Sequence, residues 1–457
     1  MAYRKRIDQG ILTVAMIVLL QPYLSAQDTL VSYYVQQGLE HNLALSQKNA
    51  DYKKSLQTLN QARSYFMPSL SFNARYTVAN GGRTIDFPVG DLLNPVYQTL
   101  NILTASDLFP TIENQSFYFY RPTEHETKLE LIQPLFNPQI GYNYKIQKEV
   151  TGLRLADMKT YKRQLVAEIK KAYYTYLKMN QVSKVFEETM SLVKENVRLN
   201  RKLLENQKIT VDVLYRSLAE LSRVEREQTD VEKNLKAAAN WFNFLLNRPL
   251  NSKILIPDTL SFLPVVPDIV KDSLTSLKNR EELQQLEYGL KSADYRLKME
   301  QNNRLPTLFA VVDYGFQGKE YRFNMHQDFT LASVVMRWDL FKGMQNKARI
   351  AEARFDRQKL TDRKKELQQQ ILMQVDNAGN GVIAAQKAII AAKAEALAAT
   401  KAFRAVDKRY RQGMVPYIEY LDALTTMSNA KIQVTIAQYD YLISLSEYER
   451  VTATYLI

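Results

Sequence analysis

The chain contains one pattern twice: a strand-like stretch, then a run of residues without proline that is far longer than a globular domain needs. The two long runs cover 139–207 and 345–412. At about 1.5 Å per helical residue, each would form a helix of roughly 100 Å. A shorter run without proline follows in each half, over 208–248 and 417–457. The duplication predicts two copies of one unit that share a single assembly.

Composition removes several classes of protein from consideration. The 457 residues include no cysteine, which excludes a disulfide framework, a thiol metal site, a cysteine nucleophile and a lipid anchor on an N-terminal cysteine. The net charge is +13, but the charges alternate in sign along the helices, as over 223–227, which indicates a solvated helix face and not a nucleic-acid groove. The three histidines are widely spaced, and no glycine-rich phosphate loop follows a strand. We therefore predict no enzyme, no cofactor and no metal site.

The N-terminus has the order of a secretory signal peptide. Basic residues at 4–6 precede an apolar stretch over 11–20, and Ala26 supplies a small residue for cleavage. This predicts a signal peptide over 1–26. The alternative is an uncleaved anchor helix, although the apolar stretch is shorter than the roughly 20 residues that a membrane span needs.

Four segments alternate between apolar and polar residues. The clearest is 69–78, where ten residues alternate without a break. That length and period match a tilted strand with one face in lipid and one in water. Weaker candidates lie at about 127–136, 308–316 and 329–341. Each could instead be a half-buried strand of a soluble sheet.

Four strands cannot close a barrel alone. Open sheet edges in lipid would leave backbone groups without partners, at a cost of several kcal/mol each, so copies of the chain must complete the sheet. This predicts an obligate symmetric oligomer. Apolar residues also recur at helical steps of three and four, as at Met158, Tyr161 and Leu165, which favours side-by-side packing as coiled coils. A soluble periplasmic coiled-coil scaffold is the alternative, but it does not explain the alternating strands.

The C-terminal part of the chain resembles a known family. The stretch Arg-Tyr-Arg-Gln-Gly-Met-Val-Pro-Tyr-Ile-Glu-Tyr-Leu-Asp-Ala over 409–423 is similar to the second-repeat motif of the outer-membrane efflux proteins typified by TolC. Asp-Val-Leu at 212–214 and Leu-Leu-Asn-Arg-Pro-Leu at 245–250 resemble segments of the first repeat. Asn-Arg-Glu-Glu-Leu at 279–283 resembles the opening of the second repeat. The resemblance covers essentially the whole mature chain.

The resemblance implies an α+β membrane protein with two tandem repeats, each a helix, a hairpin and long helices. The first repeat would span 27–248, with long helices over 139–248. The second would span 279–457, with long helices over 345–457, and an equatorial segment over 249–278 would separate the repeats. Three chains would contribute four β-strands each to a transmembrane β-barrel. A periplasmic α-helical coiled-coil barrel would continue it.

The resemblance also implies a function. The homotrimer would be a channel in the outer membrane, in contact with outer-membrane lipid and extending into the periplasm. It would conduct passively, and a periplasmic adaptor (membrane fusion) protein would connect it to an inner-membrane pump of the RND or ABC type. The sequence does not distinguish between two classes of substrate, small toxic molecules and secreted proteins.

Carried over by position, the gate of the family falls on Glu419, Asp422 and Tyr410. The two carboxylates are three residues apart, so on a helix they share one face and would form two stacked acidic rings around a threefold axis. The alternative for them is an ordinary solvated helix face. Where the family has an arginine two residues after its glycine, this chain has Val415, so the polar latch is missing or rebuilt.

Adaptor docking is carried over in the same way, to Gly413 and Lys208. The family uses a pair of glycines, one in each repeat. Gly413 matches the second of them, whereas Lys208 stands where we align the first. A lysine in place of that glycine puts one of the two docking grooves in question.

The first hairpin loop, over about 79–124, is longer than a hairpin needs. It contains a pair of glycines at 81–82 and an aromatic run at 117–120. A loop of this length without secondary structure is more often functional or mobile than accidental. It would form a lid at the cell surface, place aromatic residues at the membrane interface, or end in a disordered tip.

Overall fold

The structure is a computed structural model that describes residues 26–257, 260, 262 and 264–455. The predicted signal peptide lies outside these residues, apart from Ala26. The chain divides into two compact units. The sheet unit comprises Gln57–Lys148 and Lys291–Arg357, and the remaining described residues form the helical unit.

Helices occur in both units, and the strands of the described residues all lie in the sheet unit. In chain order the elements are α1 (Ala26–His41), α2 (Leu43–Ser64), β1 (Ser69–Val78), β2 (Thr84–Phe87), α3 (Val89–Thr104), β3 (Gln115–Tyr118), β4 (Thr123–Phe136), α4 (Pro138–Glu205), α5 (Val211–Leu245), α6 (Ile269–Asn279), α7 (Glu281–Asn302), β5 (Thr307–Gly318), β6 (Asp328–Arg337), α8 (Gln345–Arg411) and α9 (Tyr417–Thr452). None of the helices in the described ranges has both the length and the apolar character of a membrane span.

The four longer strands form one antiparallel sheet in the order β1-β4-β5-β6. β1 covers the same ten residues as the unbroken alternation in the sequence. β6 ends at Arg337, four residues before the end of the predicted strand. Arg337 pairs with Thr307, and the next partner along β5 would be Pro306. Proline has no backbone N–H, so Pro306 cannot donate the hydrogen bond that would extend the pairing of β5 with β6.

The segment between β1 and β4 is not an irregular loop, as its length alone predicted. It contains β2 and β3, which pair over four residues each, with α3 between them. The sequence does not predict α3, because Pro95 lies inside it, where a helix is ordinarily broken. The segment is therefore a small folded insertion at the end of the β1–β4 hairpin.

The core of the helical unit follows the apolar spacing of α4. Leu165, Ile169, Tyr173 and Leu177 recur at steps of four and are all buried. They belong to one apolar cluster with residues of α9, among them Tyr439. This is the packing that a periodic apolar stripe on a long helix produces.

The last helix ends before the end of the run without proline. The run continues to 457, but α9 ends at Thr452. Ala453 takes the left-handed conformation, with φ of 53°. Its N–H donates to Arg450 O, and the N–H of Thr454 donates to Glu449 O, each at 3.3 Å. An αL cap of this kind ends helices even where no proline or glycine marks the position.

A buried ion pair lies in the helical unit at Arg163. Its guanidinium donates through Nε and Nη2 to both carboxylate oxygens of Glu281, at 2.8 and 2.7 Å. Nη1 donates to the backbone carbonyl oxygen of Tyr455, at 2.7 Å. Each side chain of the pair is only 9% exposed. The guanidinium therefore joins α4, α7 and the C-terminal segment through charge-assisted hydrogen bonds.

Candidate functional site

The candidate site lies where α4 and α8 end and their partner helices begin. α4 ends at Glu205 in a turn closed by two backbone hydrogen bonds. Gln207 N donates to Leu204 O at 2.9 Å, and Lys208 N donates to Leu203 O at 2.8 Å. Gln207 is in the left-handed region, with φ of 58°. This pair of bonds is a Schellman motif, in which the residue after the C-cap is left-handed.

The end of α8 repeats the same turn. Gly413 N donates to Tyr410 O at 2.9 Å, and Met414 N donates to Arg409 O at 3.0 Å. Gly413 has φ of 73°. A glycine suits this position because it has no Cβ to clash in the left-handed region.

The hydrogen bonds correct the alignment of the two turns. The N–H groups of Gln207 and Gly413 each donate to the carbonyl oxygen three residues earlier, and both residues have positive φ. They therefore occupy equivalent positions in the two turns. Lys208 therefore corresponds to Met414, and the assignment of Lys208 to the position paired with Gly413 was wrong by one residue. The sequence does not reveal this equivalence because a glutamine, unlike a glycine, does not indicate a left-handed conformation.

Lys208 and Gly413 nevertheless line the same groove. A cavity of about 440 Å³ lies between the two turns, and both residues are in its wall. Ile209 from the first turn and Val415 from the second supply apolar surface. The structure thus brings the two predicted docking residues together, beside the valine that replaces the family arginine.

Tyr410 lies in the protein core. It is 5% exposed, and its hydroxyl donates to Asn200 Oδ1 on α4 at 2.7 Å. Its ring lies 4.9 Å from that of Tyr420 and 5.9 Å from that of Tyr417. Burial raises the pKa of Tyr410 to about 12, so the hydroxyl remains a donor at neutral pH. Tyr410 thus anchors α8 to α4 within one chain.

The two predicted gate carboxylates are exposed on α9. Glu419 is in the first turn of the helix, and Asp422 follows one turn later. Across the described part of the chain, neither side chain has a hydrogen-bond or ion-pair partner. Within one chain, the structure therefore separates these exposed carboxylates from the buried Tyr410.

Asn200 is not among the site residues predicted from the sequence. This residue is fully buried, and its Nδ2 donates to Asn196 Oδ1 at 3.2 Å while its Oδ1 accepts from Tyr410. A signal was present: Val193, Val197 and position 200 follow the apolar spacing of α4, and an amide at such a position needs a polar partner.

Comparisons with known proteins show which family the chain is similar to. Residues 275–452 match the family described as outer membrane efflux protein. The outer membrane protein TolC of Salmonella enteritidis is 20% identical over 431 residues, which cover 92% of this chain and 81% of that protein. The chain is similar to the outer membrane efflux proteins, with the family match over residues 275–452. Like TolC, it is an outer-membrane protein.

Solved structures show that this chain has a TolC-like fold of helices and strands. The outer membrane protein VceC from Vibrio cholerae has a TM-score of 0.75 at 15% identity, over 94% of this chain and 97% of that chain. The CmeC outer membrane channel of Campylobacter jejuni has a TM-score of 0.77 at 13% identity, over 92% of this chain and 85% of that chain.

The second turn gives a first prediction about stability. Replacing Gly413 with alanine should lower stability by about 1–2 kcal/mol, because an L side chain is strained at φ of 73°. Gly381 of α8 is the matched control. Both glycines have open space where a Cβ would lie, but Gly381 does not have a positive φ. Gly381→Ala should raise stability by about 0.5–1 kcal/mol, the ordinary gain inside a helix.

Urea denaturation followed by circular dichroism would measure both changes at one protein concentration. Opposite signs for the two alanines would establish that the turn conformation sets the cost. Equal effects would contradict the strained position of Gly413.

Proposed function

We propose that this protein is a member of the outer membrane efflux protein family and acts as a passive channel, the outer-membrane part of a tripartite efflux or secretion system. An inner-membrane pump of the RND or ABC type supplies the energy. A periplasmic adaptor of the membrane fusion type joins the pump to the channel. The names of the relatives, which include outer-membrane channels, support this proposal.

The observation that carries the proposal is the chemistry of the two sheet faces. One face of β1, β4 and β5 carries apolar side chains that are exposed in the isolated chain. They are Leu70, Phe72, Leu129, Leu131, Val312 and Tyr314. Exposed apolar side chains over three neighbouring strands suit contact with lipid.

The opposite face of the same strands carries charges in cross-strand pairs. Arg75 donates to Glu126 at 2.9 Å. Lys128 donates to Asp313 at 2.6 Å. Ion pairs along one face and apolar side chains along the other match a barrel strand between lipid and a water-filled lumen.

The edges of the sheet support a homotrimer. In the described part of the chain, β1 pairs only with β4, and β6 pairs only with β5. Lipid offers no hydrogen bonds to free strand edges, so β1 of one copy pairs with β6 of the next. Three copies close a transmembrane barrel, and their long helices continue it as a periplasmic coiled-coil barrel.

The helix-end site then has two roles in the proposed trimer. Glu419 and Asp422 of three copies surround the periplasmic opening as acidic rings and form its gate. The groove lined by Lys208 and Gly413 receives the adaptor. Tyr410 affects the gate only indirectly, because it holds the end of α8 against α4.

The test is assembly and conduction. Extracted in detergent, the protein should sediment as a trimer and insert into planar bilayers as a pore with steady conductance. Heat-denatured protein at the same concentration is the control and should give no steps. A stable, water-soluble monomer without detergent would overturn the channel and favour the coiled-coil scaffold.

A further inference from the structure

The insertion between β1 and β4 has a rigid fold of its own. β2 and β3 pair from Thr84↔Tyr118 to Phe87↔Gln115. Arg83 stacks over the ring of Phe119, at 4.1 Å from the ring centroid. The helix between the two strands therefore starts and ends on a fixed base.

Two asparagines hold α3 against the segment that returns to β3. Asn94 donates to the carbonyl oxygen of Ile112 at 3.0 Å and accepts from its N–H at 2.8 Å. Asn101 forms the same pair with Phe109, at 2.9 and 3.1 Å. Because the asparagines are seven residues apart, these clamps lie on one face of the helix and fix its rotation.

Gly90 shows how closely the helix lies on that segment. A Cβ at this position would lie 2.3 Å from the carbonyl oxygen of Ile112. The backbone cannot move away without losing the asparagine clamps. The face of α3 that points away from the clamps is therefore presented by the fold and is not a chance orientation.

That outward face is apolar and has no cover within the described chain. Leu92 is 69% exposed and Leu103 is 76% exposed, with Val96 between them on the same face. No charged residue occurs from 92 to 106. An uncharged apolar face on a rigid helix normally has a partner.

The place of the insertion in the sheet indicates that partner. It leaves β1 at Val78 and returns to β4 at Thr123, and β1 is an edge strand of the sheet. In the proposed trimer this edge meets the next copy, so the three insertions stand at one end of the barrel, each beside a subunit seam.

Charge argues against the membrane surface as the cover. Helices that lie in an anionic lipid interface use lysine and arginine on their polar faces. α3 has neither, and the whole segment 79–122 has two basic and four acidic residues. Packing against the same uncharged face of a second copy does not require lysine or arginine.

We propose that the α3 helices of three copies pack by their apolar faces into a cap over the outer end of the barrel. The cap rests on the proposed trimer and adds a contact beyond the strands. Its removal or opening would have to accompany the passage of large substrates.

The absence of cysteine makes the test direct, because single cysteines can be placed without a background. Leu103→Cys lies on the apolar face. Gln98→Cys is the matched control, since it is exposed on the same helix but turned away from that face. Purified trimers would be oxidised with copper phenanthroline and analysed on non-reducing gels, alongside a second apolar-face variant, Leu92→Cys.

The expected result is a covalent dimer from Leu103→Cys or Leu92→Cys, at least tenfold more abundant than from Gln98→Cys. One disulfide per trimer would leave the third chain single. Intact trimers without this cross-link would overturn the cap. A water-soluble maleimide would then separate the other occupants, since cysteines protected from it face lipid and reactive ones face water. Loss of trimers in the unmodified protein would instead overturn the proposed channel, and the cap with it.

Discussion

Replacing Arg163 with methionine should lower the free energy of unfolding by about 3–5 kcal/mol. The substitution keeps much of the side-chain volume but leaves the carboxylate of Glu281 buried without its partner. It also removes the donor to the carbonyl oxygen of Tyr455. Urea denaturation in detergent, followed by circular dichroism at one protein concentration, would measure the change.

A matched control is present on the same helix. Arg198 binds Glu195 through the same two-pronged geometry, at 2.7 and 2.6 Å, but these side chains are 59% and 40% exposed. Arg198→Met should change stability little, because water solvates the carboxylate that remains. The double variant Arg163→Met/Glu281→Leu should recover most of the loss. Equal effects of Arg163→Met and Arg198→Met would contradict the importance of burial.

Removing the two exposed carboxylates of α9 should change ion conduction more than any other surface substitution. In the proposed trimer, Glu419→Ala/Asp422→Ala deletes six negative charges around the periplasmic opening. Cation selectivity should fall. Block by a trivalent cation such as La³⁺, added from the periplasmic side, should weaken about tenfold or more, which corresponds to about 1.4 kcal/mol of binding free energy.

The control for this variant removes the same number of charges elsewhere. Glu225 and Glu232 are both exposed on α5, and Glu225→Ala/Glu232→Ala should leave selectivity and block unchanged. Single-channel recording would compare both variants with the unmodified protein, and trimer stability should stay constant. If Glu419→Ala/Asp422→Ala conducted and were blocked like the unmodified channel, the carboxylates would face solvent outside the pore.

Local patterns in the sequence identify the elements whose causes are local. The alternation over 69–78 predicts β1 because apolar and polar residues take turns along the chain, which places them on opposite faces of a strand. The apolar steps of α4 mark its buried face because the helix period is fixed. In both cases, neighbouring residues contain the whole signal.

Features that depend on residues far apart in the sequence cannot be predicted from such local patterns. Asn94 resembles any helix-breaking asparagine until Ile112 accepts and donates to it, 18 residues later. Gln207 has no sequence mark of a left-handed residue, and only the hydrogen bonds of the turn reveal its equivalence to Gly413. The family resemblance located the helix-end site, but it could not show that Tyr410 binds Asn200.

The reach of Arg163 along the chain has a consequence for biogenesis. Its carboxylate partner follows 118 residues later, and its carbonyl partner follows 292 residues later. During translation and export the guanidinium must therefore remain hydrated, because burial without these partners is costly. The helical unit can close around Arg163 only after the chain has been delivered as far as Tyr455, so a chain truncated before Tyr455 would be left open to periplasmic proteases.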